Sequence, residues 1–280
     1  MKIVFFGYDY TLDILQRLIA DEHEIAQIFT FPCDNVFSSH IEIQQFANYH
    51  EIPITDEAIN PSHIDVLVQQ GCTLFLSAGY PHKIPPLPDD VYGMNMHPAL
   101  LPRVRGIMPL PYVIMNEPKA AGFTLHKLAL NFDCGDIIYQ DFISIDAHTD
   151  VETLSAKIAV RAPDTISKVV ADIDSFWASA SPQDEDQAST YDTPDEDMRQ
   201  IKWEDTPTTT ATKGRAFGRF GVIAKVENDF GQSQNLAVFN LSTWEEPHDH
   251  KQGKLIRSSN REIVIAIQDG YVCLKEFQVL

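Results

Sequence analysis

Three apolar runs, MKIVFFG at 1–7, EIAQIFTFP at 24–32 and CTLFLSAG at 72–79, alternate with segments of helical spacing, and no other feature limits the fold as much. Continuous apolar runs of this length suit strands buried on both faces, the habit of parallel sheets. Between them, TLDILQRLIAD places Leu12, Leu15, Leu18 and Ile19 on one helical face, with Thr11 or Asp9 available as cap. SSHIEIQQFANYHE predicts a second helix opened by serines, IPIT a short strand and PSHIDVLVQQ a third helix. Such alternation implies an α/β fold with a doubly wound, Rossmann-like and mostly parallel sheet. The first strand–turn–helix junction, GYDYTLD, contains only Gly7 and lacks the GxGxxG pattern. A tightly held dinucleotide is therefore not expected there, although the carboxyl edge of the sheet still offers a crevice for another ligand.

Further along, LPYVIMNE reads as a helix, and AAGFTLHKLA and DIIYQDFISI as two strands. A long helical pattern with Asp150 as cap follows from 150 to 177. Residues 181–206 change character. Nine acids against Arg199 and Lys202 lie between Asp184 and Asp205, among prolines, which predicts a linker. From 207 to 280 the chain turns to short alternating segments, GVIAKVEN, NLAVFNLSTW, GKLIRSS, EIVIAIQDG and YVCLKEFQVL, separated by turn signals. That pattern predicts a small all-β domain, an OB-like barrel, after an α/β domain spanning 1–180. Its strands offer a surface for a homodimer or a cover for a ligand site.

Charge narrows the partners. The chain has a net charge of −19 and a pI near 4.7, the wrong sign for a protein that displaces counterions from nucleic-acid phosphates. Cys33, Cys72, Cys134 and Cys273 are scattered with no CxxC pair, which suggests reduced thiols and a cytoplasmic protein. The apolar start is too short for a signal peptide and no stretch approaches a membrane span. His248 and His250 have metal-ligand spacing, but without Cys or further His nearby they read as a loop, and no metal is expected.

The chemistry concentrates in MNMHPALLPRVRG, 94–106. Asn95 and His97 stand two apart, so in a strand they share a face. Asp133 follows in NFDCGDII. An amide donor, an imidazole and a carboxylate together suit work on a carbonyl: one group for developing negative charge, one for a proton and one to hold the ring. Each also has a plainer reading, as a turn cap, a core histidine and a turn former with Asp136 as rival. The proline-rich loop 79–90 at a strand end is stiff enough to present backbone groups to a planar ligand, or is a plain connection.

These residues resemble the signature of the formyltransferases that use N10-formyltetrahydrofolate. Asn95, His97, Leu100, Leu101, Pro102, Arg105 and Gly106 match an N-x-H-x-x-L-L-P-x-x-R-G run, Gly122, Thr124 and His126 match a G-x-T-x-H strand, and Asp133 and Gly135 match D-x-G. The amino-terminal KIVFFG, the acidic linker and the closing β domain also fit, so the likeness covers nearly the whole chain. It implies catalysis by Asn95, His97 and Asp133, with His97 either donating to the formyl oxygen or taking the amine's proton. His126 reads as structural. Contacts to folate are implied for Gly79, Tyr80, Lys83, Ile84, Leu130 and Phe132. Acceptor contacts are implied for Tyr8, Asp9, Arg103, Arg105, Met108 and Pro109, the arginines pairing with phosphate unless they form surface ion pairs. Relatives that act on tRNA carry a basic insertion after the second strand, whereas FPCDNVFSSHIEIQQ here has no Lys or Arg. The expected acceptor is therefore the primary amine of a nucleotide-linked amino sugar. Methionyl-tRNA formyl transfer, hydrolysis of formyltetrahydrofolate and a non-catalytic folate- or sugar-binding role stay open.

Overall fold

The structure, a computed structural model, describes residues 1–32, 40–227 and 232–280. The chain divides into two compact units, one of 1–109, 119–144 and 154–192, the other of 110–118, 145–153 and 193–280. The first holds a seven-stranded sheet. Its parallel strands are β1 (Lys2–Phe6), β2 (Glu24–Phe29), β3 (Ile54–Thr55), β4 (Leu74–Ala78) and β5 (Tyr92–His97); β6 (Gly122–Lys127) pairs antiparallel with both β5 and β7 (Ile137–Phe142). The order is β3-β2-β1-β4-β5-β6-β7, which reverses direction between β1 and β4, as a doubly wound sheet does.

The sequence explains the elements. Ile3 to Phe6 and Leu74 to Leu76 are fully buried, as expected of central parallel strands. α1 (Leu12–Ala20) buries Ile14, Leu15 and Leu18. Thr11 does not cap it; its hydroxyl instead donates to the Tyr8 carbonyl (2.9 Å). α2 (Ile41–Tyr49) follows the expected pattern, while Ser38 and Ser39, read as its caps, lie outside the described residues. α3 (Pro61–Gln69) opens with Pro61 after Asn60, whose side chain accepts from the His63 N–H (3.1 Å). α4 (Pro109–Met115) leaves the loop after β5. The helix read as continuous from 150 to 177 is instead α5 (Val151–Ala171) and α6 (Ile173–Ala178), broken at Asp172, whose ψ of 49° is not helical. Among the described residues no helix is long and apolar enough to cross a membrane.

Phe6 anchors the sheet's core. Its ring stacks on Phe29 (5.0 Å between centroids) and Phe75 (6.2 Å) and tilts against Tyr80 (5.2 Å).

The second unit contains α7 (Glu196–Arg199), α8 (Pro207–Phe217) and an antiparallel sheet of β8 (Val222–Glu227), β9 (Ser233–Glu245), β10 (Leu255–Ser258), β11 (Ile263–Ile267) and β12 (Gly270–Val279), in the order β10-β11-β12-β9-β8. The β segments fall where alternation predicts them. α8 was missed, though its start is written in Thr206–Pro207: the Thr206 hydroxyl accepts from the Thr209 N–H (3.2 Å) and proline takes the first helical position. The helix lies on β9, where the Pro207 carbonyl accepts from the Thr243 hydroxyl (2.9 Å).

Phe75 is 0% exposed in the core beside Phe6, so Phe75→Ala is expected to cost about 3–5 kcal/mol. Urea denaturation followed by circular dichroism measures it.

Candidate active site

β5 carries Asn95 and His97 on one face, and the antiparallel register with β6 sets Asn95 opposite His126 and His97 opposite Thr124. Thr124 is fully buried and fixes the chain as it leaves β5. Its hydroxyl donates to the Ala99 carbonyl (2.7 Å) and accepts from the Leu101 N–H (3.0 Å) and the Gln140 amide (3.0 Å), which uses its whole hydrogen-bonding capacity.

Asp133 sits in the turn between β6 and β7 with φ of 57°, only 8% exposed. Its Oδ2 accepts from the Gly106 N–H (3.0 Å), its Oδ1 lies 3.3 Å from His97 Nδ1, and His126 Nε2 is 3.6 Å away. Burial alone would raise its pKa; the two histidines and the Gly106 N–H outweigh burial and hold the carboxyl far below the usual carboxylate range. The other nitrogen of His97, Nε2, lies 2.8 Å from the Val104 carbonyl and must donate to it. Both ring nitrogens therefore face acceptors.

Val104 has φ of 57°, a rare conformation for a β-branched residue, worth roughly 1–3 kcal/mol of strain. The segment that keeps it there is the acidic stretch after α6. The Val104 N–H donates to the Ser189 hydroxyl (2.9 Å), the Arg105 N–H to the Ser189 carbonyl (2.9 Å), and the Tyr191 N–H back to the Arg105 carbonyl (2.9 Å). Gly106, with φ of 127°, leaves no room for a Cβ, which would stand 2.2 Å from the Tyr191 carbonyl. The Arg105 guanidinium, 7% exposed, donates to Glu185 through both terminal nitrogens (3.0 and 2.7 Å) and to the Gln183 carbonyl oxygen (2.7 Å). The Gln183 amide nitrogen then donates to the carbonyls of Asp133 (2.7 Å) and Gly135 (2.8 Å). One strap, 183–191, thus ties the loop after β5 to the turn that carries Asp133.

The other anticipated residues are dispersed. Gly79, with φ of 75°, packs against the Tyr8 ring at the reversal point of the sheet, where an added Cβ would come within 2.7 Å of the ring. Tyr80 is buried, its ring on Phe6 and its hydroxyl accepting from the Ile59 N–H (3.3 Å). Lys83, Ile84 and Leu130 line a cleft of about 450 Å³ together with Pro85 to Asp89 and Trp177. Leu130 (70%) and Phe132 (55%) are unusually exposed for apolar residues and stand just before Asp133 in the sequence. Asp9 accepts from the Ile43 N–H (2.8 Å) through Oδ1, and its buried Oδ2 has no partner among the described residues. Arg103 and Met108 are half-buried, and Pro109 is buried at the start of α4. Arg105 turns to the strap. His248 Nε2 donates to the Ile267 (3.0 Å) and Gly270 (2.9 Å) carbonyls and Nδ1 accepts from the His250 N–H, so this ring has no nitrogen left for a metal. Among the described residues no cluster of His, Cys, Asp and Glu suits a metal ion.

With this geometry in place, comparison with known proteins gives concordant results. Residues 40–170 match the profile of the family described as Formyl transferase. A methionyl-tRNA formyltransferase of Finegoldia magna is 25% identical over 99% of this chain and 92% of its own length. An N-formyltransferase from Helicobacter canadensis, solved with folinic acid and dTDP-3-aminofucose, shares the fold at a TM-score of 0.70 and 14% identity, over 99% of both chains. HypX from Aquifex aeolicus in complex with tetrahydrofolic acid aligns at 0.68 and 18% identity over 100% of this chain, which spans 44% of that longer one.

Two outcomes test the site. Asp133 has a depressed pKa when folded, so its stabilising contribution is complete above the ordinary carboxylate range and fades as pH falls below about 4. The stability gap between the wild type and Asp133→Asn should therefore narrow between about pH 5 and pH 2 in urea titrations. Arg105→Met should free the strap, read as faster proteolytic cutting within 181–192 while the circular dichroism of the sheet persists.

Proposed function

The chain carries a formyl transferase domain, and on that premise we propose that it moves the formyl group of N10-formyltetrahydrofolate to the primary amine of a nucleotide-linked amino sugar. The observation behind the reading is the joint placement of Asn95, His97 and Asp133 at the end of β5. In the reaction the amine attacks the formyl carbon, charge grows on the formyl oxygen, the bond to N10 breaks and the N10 of tetrahydrofolate gains a proton as the amine loses one. Asn95 offers an amide N–H to the oxygen.

His97 takes the donor role on this reading, since both its nitrogens face acceptors, Nε2 the Val104 carbonyl and Nδ1 the Asp133 carboxylate. The Val104 carbonyl holds the Nε2 hydrogen and is the group that the formyl oxygen would displace. Leu130, Phe132 and the cleft beside Lys83 and Ile84 supply apolar surface for the folate rings and a cation for its carboxylates.

The choice of acceptor rests on charge. At −19 the chain repels a polyanion at long range, and a nucleotide diphosphate needs only one or two local cations. Arg103, in the loop after β5, is the arginine we assign to that task, and Arg105 donates to Glu185 and Gln183. A second reading, methionyl-tRNA as acceptor, is favoured by the end-to-end likeness to the Finegoldia magna enzyme. On either reading the reaction belongs in the cytoplasm, in keeping with free thiols at Cys72, Cys134 and Cys273.

Mass spectrometry decides between them: incubation with N10-formyltetrahydrofolate should add one formyl group to a dTDP-linked amino sugar and none to methionyl-tRNA. Formylation of the tRNA alone would overturn the sugar assignment. Asn95→Ala and His97→Ala should each lower kcat by ~10²–10³, with folate binding by fluorescence titration unchanged.

A further inference from the structure

The cleft beside Lys83 and Ile84 has one aromatic ring among its described lining residues, that of Trp177. Trp177 comes from α6, which holds none of the signature residues, and the reaction above gives it no task. Nor does α6 depend on this ring alone to reach the sheet. Asp174 accepts from the Tyr92 hydroxyl of β5, and the Phe176 ring stands edge-on to Tyr139 of β7 (6.0 Å between centroids). The Trp177 indole packs edge-on to Tyr92 (5.0 Å), is half-buried, and turns part of its surface to the cleft. Lys127, at the end of β6, holds its ammonium 4.9 Å from the centre of the indole. Asp136 lies 3.3 Å from that ammonium, and both groups are partly open to solvent. Lys83 brings a second cation to the lining.

Tetrahydrofolate has two halves joined near N10, and they differ in the chemistry they ask for. The pterin is flat and uncharged. The other half is a benzoyl ring followed by a glutamate with two carboxylates, and it is this half that suits an aromatic wall with ammonium groups beside it. We propose that Trp177 is a specificity-determining residue for the co-substrate: its indole packs on the aminobenzoyl ring, Lys127 and Lys83 face the glutamate carboxylates, and the protein thereby selects a whole folate over a bare pterin. The inference rests on the formyl-transfer reading above and deepens it. Contacts to a part of the folate that does not react are made alike in the ground and transition states, so their loss belongs in KM and not in kcat.

Competition between two fragments carries the test. Trp177→Leu keeps an apolar side chain against Tyr92 and removes the ring. It should raise the KM for N10-formyltetrahydrofolate roughly 5- to 10-fold with kcat little changed, and Trp177→Phe should recover most of the difference. As an inhibitor, p-aminobenzoylglutamate should weaken by a similar factor in Trp177→Leu, whereas tetrahydropterin should inhibit both proteins equally. The chain has three tryptophans, so Trp203→Phe combined with Trp244→Phe leaves Trp177 as the sole indole. Its emission should be quenched by p-aminobenzoylglutamate and not by tetrahydropterin. A fall in kcat at unchanged KM, equal weakening of the two fragments, or an emission indifferent to p-aminobenzoylglutamate would each overturn the proposal. If the wild type transfers formyl to no amine, the reading of the activity fails instead, and the emission titration still decides whether Trp177 meets the folate tail.

Discussion

A carboxylate buried to 8% exposure is unstable without compensation, and the site is arranged around compensating Asp133. It receives the Gly106 N–H on one oxygen and faces His97 on the other. Those two partners come from the same stretch, nine residues apart, one at the end of β5 and the other past the turn. Removing either would leave a charge stranded in a medium where it is costly. The fold around Asp133 therefore has to keep a strand end, a loop and a turn together, whatever else it does.

It does so mostly with backbone groups. Thr124 secures the chain between Ala99 and Leu101, and the strap 183–191 secures Val104 to Gly106. Gln183 is the join: one amide reaches Arg105 on the loop and the carbonyls of Asp133 and Gly135 on the turn. Val104 is held in a conformation that costs free energy, and its carbonyl is the one that meets His97. Strain at that residue is tolerated because neighbours on both sides fix its amide and that of Arg105.

Much of this was legible in the sequence. The strand pattern located the sheet, and the spacing of Asn95 and His97 puts them on one face of β5, while Asp133 reaches them from the turn between β6 and β7. Other parts were illegible for physical reasons. Arg105 reads as a phosphate ligand from its charge, but a guanidinium also satisfies buried carbonyl and carboxylate groups, and only the folded chain shows Gln183 and Glu185 beside it. Tyr80 neighbours a ligand-gripping loop in sequence while its ring belongs to the core of Phe6. His126 depends on cross-strand register, which no local pattern encodes. The acidic stretch was judged by composition, and composition averages over Gln183 and Ser189, whose amide and hydroxyl do the holding. α8 was visible in Thr206–Pro207 and was overlooked among the β signals around it.

The strap has a consequence for the order in which the protein becomes competent. A nascent chain that has emerged as far as residue 180 already contains the whole seven-stranded sheet and Asn95, His97 and Asp133. It does not yet contain Gln183, Glu185 or Ser189, so Arg105 lacks its counter-charge and Val104 its anchor. Every strand of the sheet is therefore synthesised before the side chains that fix the geometry at its edge.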